Sequence, residues 1–158
     1  MKFSTKMLAM ISAVAMLAAC ETAPGGSAGV GGRGGNAPHD GSQRDLEANV
    51  GDRVFFDYDS AVISSEGEAT LQRQAEWMKK NKNVSVTVEG HCDERGTREY
   101  NLALGERRAS SAKSYLVNLG IASSRVSTIS YGKERPAVVG SDESAWSQNR
   151  RGVTVVSN

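Results

Sequence analysis

The stretch TVEGHCDERGTREYNLALGERRASSAKSY, residues 87–115, decides the fold, because it predicts a strand, a short charged loop and a long helix in direct succession. The strand ends at Gly90, and the charged residues after it form the loop. Residues spaced by three and four along the helix share one face, which carries Asn101, Leu104, Gly105, Arg108, Ala109 and Ala112. The loop's Asp93 therefore meets a helix face with an arginine, and such a pair of opposite charges suits a zwitterionic ligand.

Hydrophobic periodicity predicts further strands and helices on both sides of this stretch. Val84, Val86 and Val88 alternate with polar residues, which indicates a strand with one buried face. The predicted strands cover about residues 54–59, 84–89, 126–131 and 153–156, and the predicted helices about residues 65–81, 98–119 and 142–148.

Polar residues and a glycine mark the predicted helix ends. Ser65 and Glu68 have the spacing of a capping box at the start of the first long helix. Gly120 is placed to end the second long helix, and Ser141 to cap the short last one.

Alternating strands and helices of these lengths predict an α/β fold. We expect a two-layer βαβαβ-type sandwich with right-handed crossovers and both long helices on one face of a small sheet. A domain of this size has a thin core. The aromatic candidates to fill it are Phe55, Trp77, Tyr115 and Trp146.

The first 19 residues predict an export signal. Lys2 and Lys6 give a positive start, and residues 7–17 form an apolar run of 11 residues. At about 1.5 Å per residue, this run covers roughly half of a ~30 Å hydrocarbon core, so it predicts a signal segment and not a membrane-spanning helix. The ending Leu-Ala-Ala-Cys20 is similar to the bacterial lipobox, in which the cysteine is acylated; the alternative is an ordinary cleavage site beside a cysteine.

Residues 20–51 are predicted to form a lipidated N-terminus and a flexible tether. From residue 21 to about residue 44 the chain is mostly Gly, Ala, Ser and Pro, and this segment holds eight of the 17 glycines. Such a composition cannot bury enough apolar surface to offset the entropy of ordering. The folded domain is therefore predicted to span residues 52–158.

Charge and cysteine content limit the classes of function. The formal net charge of +1 gives no basic excess, so the sequence does not predict nucleic acid as a partner. If lipid consumes Cys20, the other cysteine, Cys92, has no disulfide partner within the chain.

The motif VEGHCDERG, followed by YNLALGERRA, resembles the signature of the OmpA-like peptidoglycan-binding domain family, over about residues 52–156. The resemblance implies a βαβαβ core whose small sheet has mixed strand directions, with no cofactor and no enzymatic activity. It also implies a lipoprotein anchored in the outer membrane, with its domain facing the periplasm. There it would tether the membrane to the wall within a Tol envelope system that includes a TolB-like partner, and Glu21 after the acylated cysteine favours outer-membrane sorting.

The same resemblance implies the site. In the family, an aspartate and an arginine at these motif positions bind meso-diaminopimelate of the peptidoglycan stem peptide, and they correspond to Asp93 and Arg108. A carboxylate and a forked guanidinium suit the free ammonium and carboxylate of that ligand, whereas a lysine at position 108 lacks the fork. Further residues matched to the pocket are Phe56, Asp57, Asn101 and Leu104, with Arg150 or Arg151 as a cation at its rim.

The sequence leaves several alternatives open. Asp93 and Arg108 have the charges of a purely structural salt bridge, and Gly105 either leaves room for a ligand or allows close packing. A different class of function is a periplasmic wall-acting hydrolase that uses His91 or Cys92, although neighbouring residues leaving a strand point to opposite faces. A wall anchor for a motor stator is a third role, which usually comes with a transmembrane helix.

Overall fold

The computed structural model of the protein describes residues 39–157. In chain order the elements are α1 (Gln43–Asp45), which continues as a π-helical turn (Leu46–Val50), β1 (Arg53–Phe55), α2 (Ser65–Lys80), β2 (Val86–His91), α3 (Arg98–Asn118), a 3₁₀ turn (Ser123–Arg125), β3 (Val126–Gly132), α4 (Glu143–Asn149) and β4 (Arg151–Val156). The predicted signal segment, Cys20 and most of the predicted tether lie outside the described residues. Within the described range, each helix is too short or too polar to cross a bilayer.

The four strands form one sheet in the order β1-β4-β2-β3. Strand β4 is antiparallel to both β1 and β2, whereas β2 and β3 are parallel. A parallel pair needs a crossover connection, and α3 supplies it. The predicted α/β fold with a small mixed sheet is therefore confirmed.

The core lies between one face of the sheet and the helices α2 and α3. Val86 and Val88 of β2 are fully buried there, and Val84 ahead of the strand is buried too, as their alternation predicted. The two helices contribute Leu71, Ala75, Trp77, Met78, Ala109, Ala112 and Leu116 to the same cluster. A polar pair crosses this layer, since Thr154 Oγ1 of β4 donates to Gln74 Oε1 of α2 at 2.8 Å. Both long helices thus cover one face of the sheet.

Two of the four aromatic candidates for the core lie elsewhere. Trp77 is buried in the core and Tyr115 packs against it. Phe55 is 46% exposed, and the half-buried ring of Trp146 packs against the guanidinium of Arg95. The prediction was wrong for Phe55 because its neighbour Val54 takes the core-facing position of the strand.

The ends of α3 agree with the sequence prediction. Thr97 caps its start, because its side chain accepts a hydrogen bond from the N–H of Tyr100. At the other end Gly120 has a φ of 94°, and the N–H groups of Gly120 and Ile121 donate to carbonyls of the last turn. This is a Schellman motif, which a glycine with positive φ favours.

The starts of α2 and α4 each differ by one residue from the predictions. Ser64, not Ser65, caps α2, and Asp142, not Ser141, caps α4. Each true cap has an extended backbone and accepts from an N–H three residues later. Adjacent polar residues offer the same capping chemistry, so only the backbone path decides between them.

Residues 41–50, ahead of the predicted boundary at Asp52, pack against the fold. Leu46 is fully buried in the core, and Asp45 Oδ2 accepts hydrogen bonds from Trp77 Nε1 at 2.6 Å and from the N–H of Gly41 at 3.1 Å. These contacts hold the first helical turns against α2. The glycine-rich composition ahead of them concealed this short amphipathic segment.

Strand β1 ends at Phe55, earlier than predicted, and the chain then bends towards α3. The carbonyl oxygens of Asp57 and Ser60 accept hydrogen bonds from Arg108 of α3. Between them Asp59 has a φ of 53°, a left-handed conformation that is uncommon for residues with a side chain. The N–H of Phe56 still donates to the carbonyl of Arg150 at 2.9 Å, and the hydrogen bonds to Arg108 hold the chain after it beside α3.

Helix α3 lies in direct backbone contact with β2 at a pair of glycines. A Cβ atom on Gly90 would overlap the carbonyl group of Gly105, and a Cβ atom on Gly105 would overlap Ser130 Oγ and lie 2.9 Å from the oxygen of Gly90. Gly105 therefore serves close packing between helix and sheet, which decides the alternative that the sequence left open.

His91 ends β2 on the sheet face away from α2 and α3. Its ring is 2% exposed and lies 5.5 Å from the ring of Tyr131. Neither ring nitrogen has a hydrogen-bond partner among the described residues, although Glu89 Oε2 lies 3.5 Å from Nε2. Burial, helped by the positive charge of Arg151, lowers the pKa of His91 to about 4.

We expect Gly105→Ala to lower the free energy of unfolding by at least about 2 kcal/mol in chemical denaturation, because the added methyl group forces helix and sheet apart. The control is Ser114→Ala, an exposed position on the same helix. At an open helical site alanine is favoured over glycine by about 1 kcal/mol, so a stabilised Gly105→Ala variant would contradict the contact.

Acid should destabilise the protein through His91. The folded protein holds this ring neutral down to about pH 4, whereas the unfolded chain protonates it below about pH 6.5. The unfolded state therefore binds more protons in this window, and lowering the pH across it should remove about 3 kcal/mol of stability. We expect His91→Phe to abolish this part of the pH dependence in denaturation measurements, and the exposed His39→Gln to retain it.

Candidate functional site

A cavity of about 220 Å³ lies where the loop after β1, the loop after β2 and the first turns of α3 meet. Its lining combines charged, aromatic and small residues: Tyr58, Asp59, Cys92, Asp93, Arg95, Gly96, Tyr100, Asn101, Leu104 and Arg108. Both charged residues at the centre of the sequence-based prediction, Asp93 and Arg108, are among them.

Arg108 is fully buried and donates hydrogen bonds to carbonyl oxygens of two separate chain segments. Nε donates to Ser60 at 2.8 Å and Nη2 to Asp57 at 3.0 Å, both in the loop after β1. Nη1 donates to His91, at the end of β2, at 2.8 Å. Burial lowers the pKa of Arg108, but a guanidinium remains charged in proteins. The side chain therefore joins two loops while its charge faces neutral partners.

Asp93 is also buried, and its partners are two other arginines. Arg95 donates from Nη2 at 2.5 Å and from Nε at 3.1 Å, and its backbone N–H donates as well, while Nη1 of Arg150 lies 3.5 Å away. Burial alone raises the pKa of Asp93, but the hydrogen bonds from Arg95 outweigh it and hold this pKa below its usual value. Asp93 and Arg108 thus share a cavity without forming the structural salt bridge considered above.

Arg95 is a site residue that sequence reasoning missed. Its guanidinium lies 4.1 Å from the ring centre of Tyr58 and 4.0 Å from that of Trp146, in addition to its contact with Asp93. The signal was present in the motif, where Arg95 stands two residues after Asp93. Its role was not evident because the two rings come from distant parts of the chain.

Asn101 and Leu104 lie in the cavity wall, as predicted. The amide of Asn101 donates to the carbonyl oxygens of Arg95 at 2.8 Å and Thr97 at 3.0 Å, so it fixes the path of the loop before α3. Leu104 is 5% exposed and supplies an apolar side to the same cavity.

Phe56, Asp57 and Arg150 line a neighbouring cavity of about 520 Å³. Phe56 lies between the two cavities, because its ring centre is 5.3 Å from the Arg108 guanidinium carbon and its carbonyl accepts from Arg150 Nε at 3.0 Å. Asp57 reaches the first cavity through its carbonyl, while its residue as a whole is exposed.

Neither arginine that was predicted as a cation at the rim lines the cavity of about 220 Å³. Arg150 is 7% exposed and lies beneath the surface, where Nη2 donates to Glu143 at 2.5 Å. Arg151 is buried near His91, where its charge lowers the pKa of that ring, and it donates to the carbonyl of Arg135. Their positions follow from the start of β4, where successive residues point to opposite faces.

His91 and Cys92 diverge and do not form a nucleophile and base. The thiol of Cys92 lies in the cavity wall and donates to the carbonyl of Asn101 at 3.3 Å, whereas the ring of His91 packs on Tyr131. Burial raises the pKa of Cys92, which keeps it in the unreactive thiol form. Among residues 39–157 no group of three or more His, Cys, Asp and Glu side chains is arranged to hold a metal ion.

Comparison with known proteins gives a consistent result. The OmpA family matches residues 55–150. A peptidoglycan-associated lipoprotein of Mesorhizobium japonicum is 53% identical over 157 residues, covering 97% of this chain and 94% of the relative. One of Rhizobium meliloti is 54% identical over 149 residues, covering 94% and 84%. The crystal structure of the peptidoglycan-associated lipoprotein from Burkholderia pseudomallei is 40% identical with a TM-score of 0.65, over 67% of this chain and 90% of that one. The chain is therefore a member of the OmpA family.

Proposed function

We propose that this protein binds peptidoglycan without a covalent bond, by gripping the diaminopimelate side chain of a stem peptide in the cavity between Asp93 and Arg108. The observation that carries the proposal is the state of Arg108. Its charge is fully buried, yet all three of its hydrogen bonds go to neutral carbonyl oxygens. Asp93, the anion in the same cavity, is hydrogen-bonded to Arg95 instead, so a ligand carboxylate is the fitting hydrogen-bonded counter-ion for this buried cation.

The second head group of the ligand matches the other charge in the cavity. Hydrogen bonds to Asp93 hold its pKa low, so the side chain is an anion at neutral pH. Diaminopimelate ends in an ammonium and a carboxylate on one carbon, and these pair with Asp93 and Arg108 respectively. A lysine side chain offers only the ammonium. This difference gives a basis for discrimination between stem peptides that carry diaminopimelate and stem peptides that carry lysine.

The size of the cavity limits what is recognised. A volume of about 220 Å³ suits the end of one side chain and is too small for a whole stem peptide. Leu104 and the ring of Tyr100 provide apolar walls for the methylene groups of the ligand. We infer that the site recognises the free ammonium and carboxylate at the end of the diaminopimelate side chain, which are present where the stem peptide is not crosslinked.

The names of the relatives support a role in the cell envelope. We infer that Cys20 carries lipid in the outer membrane and that the domain faces the periplasm. The chain before the fold would act as a tether that keeps the domain close to the wall. The resulting high effective concentration would let many weak bonds together attach the membrane to the wall. From the family resemblance we further infer a role in a Tol–Pal envelope-integrity and cell-division system, with a TolB-like protein as the partner.

The wall-acting hydrolase has no support from the geometry. Its two candidate residues, His91 and Cys92, point to different sides of β2, and the thiol has a raised pKa. A nucleophile needs a base within hydrogen-bond reach, and this arrangement does not supply one.

We expect Asp93→Asn and Arg108→Lys each to weaken binding of a diaminopimelate-containing stem peptide at least about tenfold. The first substitution removes the negative charge that strengthens a hydrogen bond to the ligand, and the second removes the forked guanidinium. The measurement is calorimetric titration of the purified protein in detergent, with the lysine-containing peptide as the comparison ligand. Co-sedimentation with purified sacculi tests the same variants on the polymer.

Two matched variants separate binding from folding. Arg125→Lys is the match for Arg108→Lys, because it also removes a guanidinium that donates to backbone carbonyls, but just before the start of β3. Asp45→Asn is the match for Asp93→Asn, because it also changes a buried, hydrogen-bonded aspartate. Both should lower stability and leave binding unchanged. Undiminished binding by folded Asp93→Asn and Arg108→Lys would exclude this site, and release of muropeptides that is lost in Cys92→Ala would favour the hydrolase.

Lipidation is tested at Cys20. We expect Cys20→Ser to move the protein from the outer-membrane fraction to the soluble periplasmic fraction, because acyl chains contribute about 0.8 kcal/mol per buried CH₂ and serine cannot carry them through a thioether. Cys92→Ser is the matched control and should stay with the membrane. Fractionation that is unchanged in Cys20→Ser would contradict the proposed anchor.

A further inference from the structure

We propose that Arg95 is an internal competitor for Asp93, which lowers the affinity of the cavity by holding the oxygen atoms that a ligand ammonium uses. The inference rests on the proposed function, because it concerns the same site. It assigns a role to a residue that touches the binding aspartate and separates it from solvent.

The contacts of Arg95 resemble those of a bound ligand. Its guanidinium donates twice to the Asp93 carboxylate, from Nη2 at 2.5 Å and from Nε at 3.1 Å. The Arg95 side chain is 29% exposed while that of Asp93 is 5% exposed, so the guanidinium lies between the carboxylate and the solvent. Forked arginine–carboxylate pairs are among the stronger charge-assisted hydrogen bonds. An ammonium that approaches Asp93 therefore competes with these bonds for the same two oxygen atoms.

The surroundings allow Arg95 to move without being expelled into water. Its guanidinium carbon lies 4.1 Å from the ring centre of Tyr58 and 4.0 Å from that of Trp146. Tyr58 is 62% exposed, so this pair of rings opens towards the surface. Cation–π contacts persist when the guanidinium slides outward along the ring faces, which lowers the free-energy cost of releasing Asp93.

The charge balance explains why a zwitterionic end still binds against this competition. A ligand with only an ammonium exchanges one cation for another at Asp93 and gains little. A ligand with an adjacent carboxylate also supplies an anion to Arg108, whose three hydrogen bonds go to carbonyl oxygens. The contact with Arg108 therefore distinguishes diaminopimelate from lysine, whereas Arg95 opposes the ammonium of both ligands equally.

A positioning role for Arg95 predicts the opposite change in ligand affinity. If Arg95 served to position Asp93 for the ligand, its removal would weaken binding, and a lysine at this site would restore part of the loss. If Arg95 competes, its removal leaves Asp93 open, and binding becomes tighter. The two roles are therefore separated by the direction of change in affinity.

The test is calorimetric titration of the purified full-length protein in detergent with the diaminopimelate-containing stem peptide and its lysine analogue. We expect Arg95→Gln to tighten binding of the diaminopimelate peptide by roughly two- to fivefold, since partly exposed ion pairs are of modest strength. Arg95→Lys should fall between the wild type and Arg95→Gln, and the preference over the lysine analogue should stay the same in both, because the competitor acts on the ammonium of either ligand. The matched control, Arg98→Gln, removes the same charge at a 72% exposed position paired with Glu134 and should leave the affinity unchanged.

A second measurement uses the wild-type protein, so it does not depend on how the variants fold. The NMR signal of the Arg95 Nε–H group should shift as the diaminopimelate peptide is added and reach its end point at saturation. Weaker or equal binding by folded Arg95→Gln, or an Nε–H signal that does not move at saturation, would overturn the competitor role. Asp93→Asn tells the two proposals apart: if it binds like the wild type, the site itself is wrong, whereas if it fails to bind, only the role of Arg95 is in question.

Discussion

The hydrogen bonds from Arg108 to three carbonyl oxygens organise the functional end of the molecule. They join the loop after β1 to the end of β2, because Asp57 and Ser60 belong to the first and His91 to the second. A guanidinium can do this with its planar set of donors, whereas an ammonium group offers no comparable fork. None of these three bonds goes to a carboxylate, and on the proposed function the buried charge is completed by a ligand carboxylate.

The depth at which Arg108 enters the fold depends on two glycines. Gly90 and Gly105 bring the backbones of β2 and α3 together, with no space for a methyl group between them. Arg108 lies about one turn of helix beyond Gly105, so this contact sets the height of its guanidinium relative to the end of β2. Close packing and ligand recognition are therefore linked: the glycines act on the site through the position of the helix.

Each of the two central charges of the cavity is held by different partners, which explains why they stay apart. Asp93 is engaged by Arg95 and lies near Arg150, while Arg108 is engaged by backbone carbonyls. A direct salt bridge between Asp93 and Arg108 would neutralise both groups and leave no charge free to bind a ligand. The arrangement keeps an anion and a cation side by side in a small volume, and this charge pattern is complementary to a zwitterion. His91 and Cys92 do not form a nucleophile–base pair there, because their side chains leave β2 in opposite directions.

The sequence alone determined the α/β fold, the span of α3 and the glycine that ends it, the alternation of Val84, Val86 and Val88, and the loop and helix that carry Asp93 and Arg108, because these depend on local periodicity and on a long motif. Only the tertiary structure decided that α1 packs in front of the predicted boundary, that Arg150 is buried, and that Arg95 lies between Tyr58 and Trp146. These features join residues far apart in the chain. Their contacts depend on which sheet face and which loop each side chain takes, and no local pattern carries that information.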